Sequence, residues 1–503
     1  MKRNSIVYGI LMFLIVTGFW FRIQGILDNH SFWADEAGAS KFAKDIVIGK
    51  SSILSGMMAI TYEPLHIGIT ALFFFLIGFS EFAARLPYVL FGTVGIVFAY
   101  LLAKKLSNNA GGLLAAFIYS FSQLNLAKAT QAKPYAAIET LLLIVLYLII
   151  CIDNRQRTSS TSPLFTHLLI ISLLLAATLM HTIASMFWII YVVYCSITYA
   201  KQLPKLLTKP NFVLLLIMLE VIFFYIVSAN KVFFSIQNEG KIFLSDNTMY
   251  IKNLLLKQYG IFLLSALCGL YYSYKQYKNF TIGLVIWGIV LLGMWNYRSY
   301  SHNIRYLVPF FGVLYVYVGV AWGNIGKYIS HKLNIKSLSW IPLFIAVMLY
   351  ISGYKVVRFP QSYYTPNADF YGDVQIADYK TMFSLIKKEI PDYKNIALYN
   401  DVPDAELWYM PSRRSNAYFM KGTIKPFLHP FYRVMIYGDL NSFLIEKSKH
   451  QKGILIVEDW ESYLPEDIKQ YAKKNMKLEF RVEGLAQAKN DPWPLEVYSW
   501  GMR

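Results

Sequence analysis

Apolar residues are not spread evenly along this chain. Through the first 360 positions they gather into runs of roughly 17–22 residues with few charges, close to the length of about 20 that a helix needs to cross a hydrocarbon core. Lipid offers no partner to a bare backbone, so such runs must be helical. The pattern predicts spans over about 5–25, 84–104, 110–126, 134–152, 164–182, 183–200, 211–229, 256–275, 280–296, 304–324 and 338–355. A further apolar run, 64–80, reads as a re-entrant or tilted element rather than a complete crossing. Beyond residue 360 the pattern becomes charged, mixed and turn-rich. There Asn395–Tyr399, Val434–Tyr437 and Gly453–Val457 read as short buried strands, and Gln375–Ile390 and Pro465–Asn475 as amphipathic helices. The expectation is a mainly α, polytopic membrane domain over 1–357 with about 11–13 transmembrane helices, followed by an extracytoplasmic α/β domain over 358–503.

Charge orients these spans. Basic loops at Lys104-Lys105, Arg155–Arg157, Lys201–Lys209, Lys275–Lys278 and Lys327–Lys336 belong in the cytoplasm. The intervening loops, including a long first loop over about 27–62, then face outward, as does the C-terminal domain. Residues 361–503 hold 19 basic and 19 acidic side chains, so the whole net charge of +18 lies in the membrane part. Short loops between spans account for that excess, and nucleic-acid binding is not expected. At 16% the charged fraction is well below the ~25% of soluble domains. Cys151, Cys195 and Cys268 lie in or beside apolar runs without metal-ligand spacing or a disulfide framework. The N-terminal Met-Lys-Arg-Asn and its apolar stretch read as an uncleaved first span, because Trp20, Phe21 and Arg22 follow where a signal peptide would place small residues.

Acids are scarce before residue 361, and five of them, Asp28, Asp35, Glu36, Asp45 and Glu63, fall in or next to the first loop. Asp35 and Glu36 follow Trp33 close to a span. A carboxylate shielded by aromatics at a membrane surface suits a general base or a divalent metal. The same pair equally suits the first turn of a helix. Glu63 and His66, three residues apart at a helix start, can share one face; they suit a metal or acid/base cluster, or simple capping.

Cations in outward segments need a reason. Lys133, before Pro134-Tyr135, suits an anionic phosphate or ordinary snorkelling. Tyr297–Tyr306 carries Arg298 and Arg305 among tyrosines, and favours phosphate binding. Glu139 and Glu220 lie inside spans and His181 at a span end, positions that are functional candidates by default; Glu139, one turn from Tyr135, suits the same cavity.

Together, Trp33-Ala-Asp-Glu-Ala37, Glu63-Pro-Leu-His66, Gly78-Phe-Ser-Glu-Phe-Ala-Ala-Arg-Leu-Pro87 with Phe91-Gly92, Gln131-Ala-Lys-Pro-Tyr135, His181-Thr182 and Arg305-Tyr-Leu-Val-Pro309 resemble the GT-C glycosyltransferases of the protein O-mannosyltransferase and aminoarabinose-transferase type. The resemblance covers roughly residues 1–200 and the region near 305. It implies a GT-C fold and inverting transfer of a sugar from a polyprenyl phosphate to a hydroxyl of a protein, lipid A or a glycan. It implies Asp35 as base with Glu36 as second carboxylate. It also implies Lys133, Arg305, Arg298, Tyr135 and Tyr306 around the donor phosphate, and Glu63, His66, Arg85, His181 and Glu139 in the cavity or acceptor region. A divalent metal, if used, falls to Glu63 and His66. The chain departs from the family where Pro-Pro-Leu-Tyr and Arg-Pro-Tyr are usual: it has Glu63-Pro-Leu-His66 and Lys133-Pro-Tyr135. No P-loop or Rossmann fingerprint points to a soluble nucleotide.

Three other classes compete. A transporter or flippase of lipid-linked saccharides explains spans and intramembrane acids but not a long acidic first loop. A polysaccharide polymerase or ligase would carry its active loop late in the chain. A structural assembly subunit would have no working Asp35 and Glu36. Short loops favour the inner membrane of a bacterium over the endoplasmic reticulum.

Overall fold

A computed structural model of the chain describes residues 2–27, 31–60, 63–158, 164–200, 259–298, 304–335, 377–390, 392–429, 432–458, 462–484 and 494–502, with isolated positions at 255–256, 340, 344 and 347. The expected span 211–229 and nearly all of 338–355 lie outside these residues. The chain forms two compact units: Met1–Leu27, Ser52–Phe73 and Arg85–Gln361 make one, and Asp28–Ser51, Phe74–Ala84 and Ser362–Arg503 make the other.

The first unit is a multi-pass helical membrane domain. Among the described residues, Ser5–Leu27, Glu81–Leu106, Tyr135–Asn154 and Ile304–Lys332 are long and apolar enough to cross a membrane; shorter apolar helices include Asn109–Phe121, Leu164–Met180 and Lys278–Met294. The run expected at 64–80 is a helix over Pro64–Ile77 that ends at Gly78, whose positive φ of 86° permits the sharp turn before Glu81. Fourteen residues reach only about 21 Å, shorter than the ~30 Å hydrocarbon core. The expected span 110–126 is broken: Ser122 is extended (φ −60°, ψ 121°), ending Asn109–Phe121 and starting Gln123–Ala129. The expected span 183–200 opens with a 3₁₀ turn, Thr182–Met186, before Phe187–Thr198.

Lipid gives helices little hydrophobic reason to associate, so close backbone approach matters. Helices Asn109–Phe121 and Val308–Lys332 meet through glycines. A Cβ on Gly111 would come 2.5 Å from the Gly319 carbonyl oxygen, and one on Gly319 would come 2.3 Å from that of Gly111. Arg22, which the sequence reading treats only as the end of the first span, is fully buried. Its guanidinium donates to the carbonyls of Gly18 (2.9 Å), Tyr119 (3.2 Å) and Ser120 (3.3 Å), tying the first span to Asn109–Phe121.

The second unit contains a seven-stranded sheet. Its strands are β1 (Ala397–Asn400), β2 (Ala417–Phe419), β3 (Phe427–Leu428), β4 (Met435–Tyr437), β5 (Gly453–Glu458), β6 (Lys477–Val482) and β7 (Leu495–Trp500). The order is β3-β4-β2-β1-β5-β7-β6; β4, β2, β1 and β5 are parallel, and β3, β7 and β6 run antiparallel to their neighbours. β5 reads Gly-Ile-Leu-Ile-Val-Glu and is buried throughout, as a central strand covered on both faces requires. The three strands expected from sequence match β1, β4 and β5 to within two residues. The expected helices appear as Tyr379–Glu389 and Glu466–Asn475, and Pro403–Tyr409 and Leu440–Ser448 are additional.

One boundary differs from expectation. The first part of the first loop, up to Ser51, assigned by sequence to the membrane domain, folds with the C-terminal domain. Trp33 is 6% exposed in a core shared with Leu398, Val402, Ala405, Met410 and Ile456. Hydrophobic burial explains this: the loop carries Phe32 and Trp33 into an α/β core that has aromatic and aliphatic partners for them.

Candidate active site

The membrane unit gathers its expected polar residues at a buried carboxylate. Glu63 stands just before Pro64, the first residue of its helix, and is 1% exposed. The Lys133 ammonium lies 3.3 Å from Glu63 Oε2, His66 Nε2 3.8 Å from the same oxygen, and His181 Nε2 3.6 Å from Oε1. Each partner is held by its own local structure. His66 sits one turn into the helix, with Nδ1 hydrogen-bonded to the Tyr88 hydroxyl. His181 caps the 3₁₀ turn: its Nδ1 accepts the Ile183 N–H at 3.1 Å, which leaves Nε2 as the protonated nitrogen facing Glu63. Lys133 precedes Pro134 at the start of helix Tyr135–Thr158 and is 2% exposed. Ordinary snorkelling is therefore excluded for Lys133, because a snorkelling ammonium keeps its head in water.

Aromatic rings extend the cluster. Tyr135 lies 5.5 Å from His181 and 6.3 Å from Tyr306, and His181 lies 6.1 Å from Tyr306, centroid to centroid. The Arg305 guanidinium lies over the Tyr306 ring at 5.2 Å. Lys133, Glu63, His181, Tyr306 and Arg305 thus form one contiguous series of contacts. Arrayed this way, two cations and three ring systems offer a phosphate its charge complement, its hydrogen-bond donors and an apolar wall.

The other expected residues are placed as follows. Glu139 accepts the Tyr119 hydroxyl at 2.7 Å within the helix packing rather than joining Glu63. Arg85 is fully buried in helix Glu81–Leu106. Arg298 ends helix Lys278–Arg298, and its side chain lies outside the described residues, as does all of Glu220. Among the described residues no group of three or more His, Cys, Asp or Glu is arranged to hold a metal ion; at Glu63 the adjacent cation is the Lys133 ammonium.

In the other unit, Asp35 and Glu36 begin helix Ala34–Val47. The helix-start reading of this pair is met here. Glu36, 1% exposed, accepts the Trp33 N–H at 3.0 Å, closing the helix start in the manner of a capping-box carboxylate. Asp35, one residue before it, is half-buried. Tyr88 and Lys128 were not singled out from sequence. Tyr88 falls one residue beyond the Arg85-Leu-Pro87 motif, and its helical spacing of three from Arg85 is the signal that was available. Lys128, 1% exposed, carried the same one as Lys133: a cation in an outward segment.

Residues 63–227 match the sequence model of the dolichyl-phosphate-mannose-protein mannosyltransferases. The fold is similar to that of ArnT from Cupriavidus metallidurans bound to undecaprenyl phosphate, with 13% identity, 98% of both chains covered and a TM-score of 0.60. It is also similar to the oligosaccharyltransferase AglB from Archaeoglobus fulgidus in complex with an inhibitory peptide and a dolichol-phosphate, with 10% identity, 90% of this chain and 69% of that one covered, and a TM-score of 0.53. The chain has the GT-C fold, and the glycosyltransferase family match spans residues 63–227 of it. No curated protein matches it in sequence. The matched stretch begins at Glu63 itself, so the family match takes in Glu63, His66, Lys133 and His181, with Arg305 contributed from beyond its end.

Proposed function

We propose that this enzyme moves a sugar from a polyprenyl phosphate to a hydroxyl acceptor at the outer face of a bacterial cytoplasmic membrane, with its C-terminal domain extracytoplasmic. The acceptor is a protein, lipid A or a glycan. The observation that carries the reading is the buried Lys133–Glu63–His181 cluster with Tyr306 and Arg305 beside it, inside a GT-C fold.

In this reading the acceptor oxygen attacks the anomeric carbon as the bond from that carbon to the phosphate oxygen breaks. The bonding pair leaves with the lipid phosphate, so negative charge grows there. Arg305 and Lys133 are the groups that offset it, and a buried site makes preset charges more effective than they would be in water. Glu63 holds Lys133 in place until the phosphate arrives. Asp35 takes the acceptor proton. Glu36, whose carboxylate already accepts the Trp33 amide, shapes the helix start instead of competing for that proton.

The test is sugar transfer by purified, lipid-reconstituted protein from a panel of labelled polyprenyl-phosphate sugars, comparing wild type with Asp35→Asn. General bases contribute about 10²–10⁴-fold, so a loss in that range supports Asp35 as the base. Equal transfer by both removes Asp35 from the mechanism.

A further inference from the structure

We propose that helix Pro403–Tyr409 of the C-terminal domain is the platform that positions the Asp35 loop, with Trp408 and Tyr409 as its positioning residues; this rests on the reading of Asp35 as the base.

The loop is fastened on both sides of Asp35. Before it, the Phe32 N–H donates to the Tyr409 hydroxyl at 2.7 Å, and the Phe32 ring lies 5.0 Å from Trp408. Ser31 Oγ accepts the Lys380 N–H at 3.2 Å, and Trp33 is buried with Val402, Ala405 and Met410. After it, Gly38 faces Asp404 closely enough that a Cβ would stand 3.1 Å from Oδ1, so the two helices meet where the loop helix has no side chain. One turn and a half further on, the Lys44 ammonium lies 5.4 Å over the Trp408 ring. Trp408 also stacks at 5.7 Å on Phe74, at an interplanar angle of 21°. Trp408 is therefore clamped between the loop and a third segment of the same unit.

A platform of this kind answers a physical need. The first turn that carries Asp35 belongs to one helix, Ala34–Val47, whose direction is set by what it packs against. A base must come within about 2.6–3.2 Å of the proton it takes, and a misplacement of about 1 Å can cost about 10²-fold. Fixing Phe32 and Gly38 sets the direction of the first turn, and with it the direction of Asp35. The C-terminal domain thus enters the reaction through geometry alone, with no side chain of Pro403–Tyr409 touching the reacting atoms.

The experiment compares kinetic constants of wild type, Trp408→Ala, Trp408→Phe, Tyr409→Phe and Asp35→Asn in lipid. Trp408→Ala is expected to lower kcat about tenfold or more with the donor KM within about twofold, and Trp408→Phe to restore most of it. Tyr409→Phe, lacking one hydroxyl, is expected to show a smaller fall of the same kind. Unchanged kcat in Trp408→Ala and Tyr409→Phe overturns the proposal, as does a joint fall in folded yield and activity that Trp408→Phe does not rescue.

A second variant does not depend on tolerating a lost ring. In Gly38→Cys/Asp404→Cys, the position of the Asp404 carboxyl carbon, where the new sulfur would sit, is 3.3 Å from the Gly38 Cβ site, near the ~3 Å that a disulfide sets between one Cβ and the partner sulfur. Oxidation should trap the bond in the membrane with transfer retained. Failure to trap, or activity that is lost on oxidation and returns on reduction, overturns the platform. Trapping is read without any reaction, so an active Asp35→Asn enzyme that still traps shows the base assignment failing by itself.

Discussion

Glu63 and Lys133, seventy residues apart, form a buried ion pair at 3.3 Å. They are also two of the positions at which the chain departs from the motifs it resembles, with Glu where proline is usual and Lys where arginine is usual. The two departures meet in space: the acid just before helix Pro64–Ile77 faces the compact ammonium that stands where arginine is usual. Burying two charges costs several kcal/mol each, and the pair offsets that cost by mutual neutralisation, with the two histidines also facing the carboxylate.

Removing one member should therefore be costlier than removing both. Glu63→Gln alone removes the carboxylate that the buried Lys133 ammonium meets at 3.3 Å, and is expected to lower stability by about 3–5 kcal/mol. The Glu63→Gln/Lys133→Met pair is expected to recover more than half of that loss. Thermal unfolding of the purified protein in one detergent checks this; equal losses in the single and double variants would show that the two charges are not coupled.

Arg305 presents a planar cation over Tyr306 with Nη2 3.4 Å from the phenol oxygen. Lysine can supply the charge but neither the fork nor the stack. Losing charge-assisted hydrogen bonds worth about 1.5–3 kcal/mol corresponds to a donor kcat/KM lowered roughly 10–150-fold in Arg305→Ala. Arg305→Lys is expected to fall between that and wild type. A donor titration at fixed acceptor measures both, and a lysine variant indistinguishable from wild type would rule out bidentate recognition.

Much of this was legible in the sequence because lipid and charge leave strong marks. The long apolar runs, a helix within the apolar segment 64–80, and the β1, β4 and β5 strands follow from periodicity and length. Glu63, His66, Lys133, His181 and Arg305 were each marked by a charge or imidazole where lipid disfavours one. What was missed has a physical cause. The break at Ser122 is a single extended residue inside an apolar run, which hydropathy does not register. The short strands β2 and β3 have too few residues to show a period of two. The partnership of Phe32 and Trp33 with residues some 370 positions later depends on tertiary packing, so no local pattern announces it. Glu139 was grouped with the cavity from its spacing to Tyr135; its carboxylate instead meets Tyr119 because the side chain follows the helix face that packs inward.

Glu139 and Gly312 give a packing test. A Cβ on Gly312 would stand 2.5 Å from Glu139 Oε1 and 2.8 Å from its Cγ. Gly312→Ala thus overpacks a buried polar contact, and a cost of about 1–3 kcal/mol is expected. Glu139→Ala in the same chain opens the space and should return part of it. Comparing unfolding midpoints of the two single variants and the double gives the coupling; additive losses would mean that helix Val308–Lys332 shifts freely to make room.

Asp401 offers a pH test in the C-terminal domain. Its Oδ2 accepts Ser462 Oγ at 3.0 Å and the N–H groups of Tyr463 and Leu464 at 2.7 Å each, while the side chain is almost wholly buried. Burial pushes its carboxyl above the usual range, and these hydrogen bonds and the Lys469 charge only partly oppose the rise. With the folded pKa above the unfolded one, the folded state holds its proton more tightly. Asp401 then contributes most to stability at low pH, and that contribution is lost as pH rises from the unfolded value, about 3.9, through the folded one. Asp401→Asn cannot titrate. On acidification from neutral pH toward pH ~4, the stability of wild type relative to Asp401→Asn is expected to increase. Paired thermal unfolding at several pH values measures that difference; a decrease would mean that the donors from residues 462–464 hold Asp401 as a carboxylate in spite of its burial.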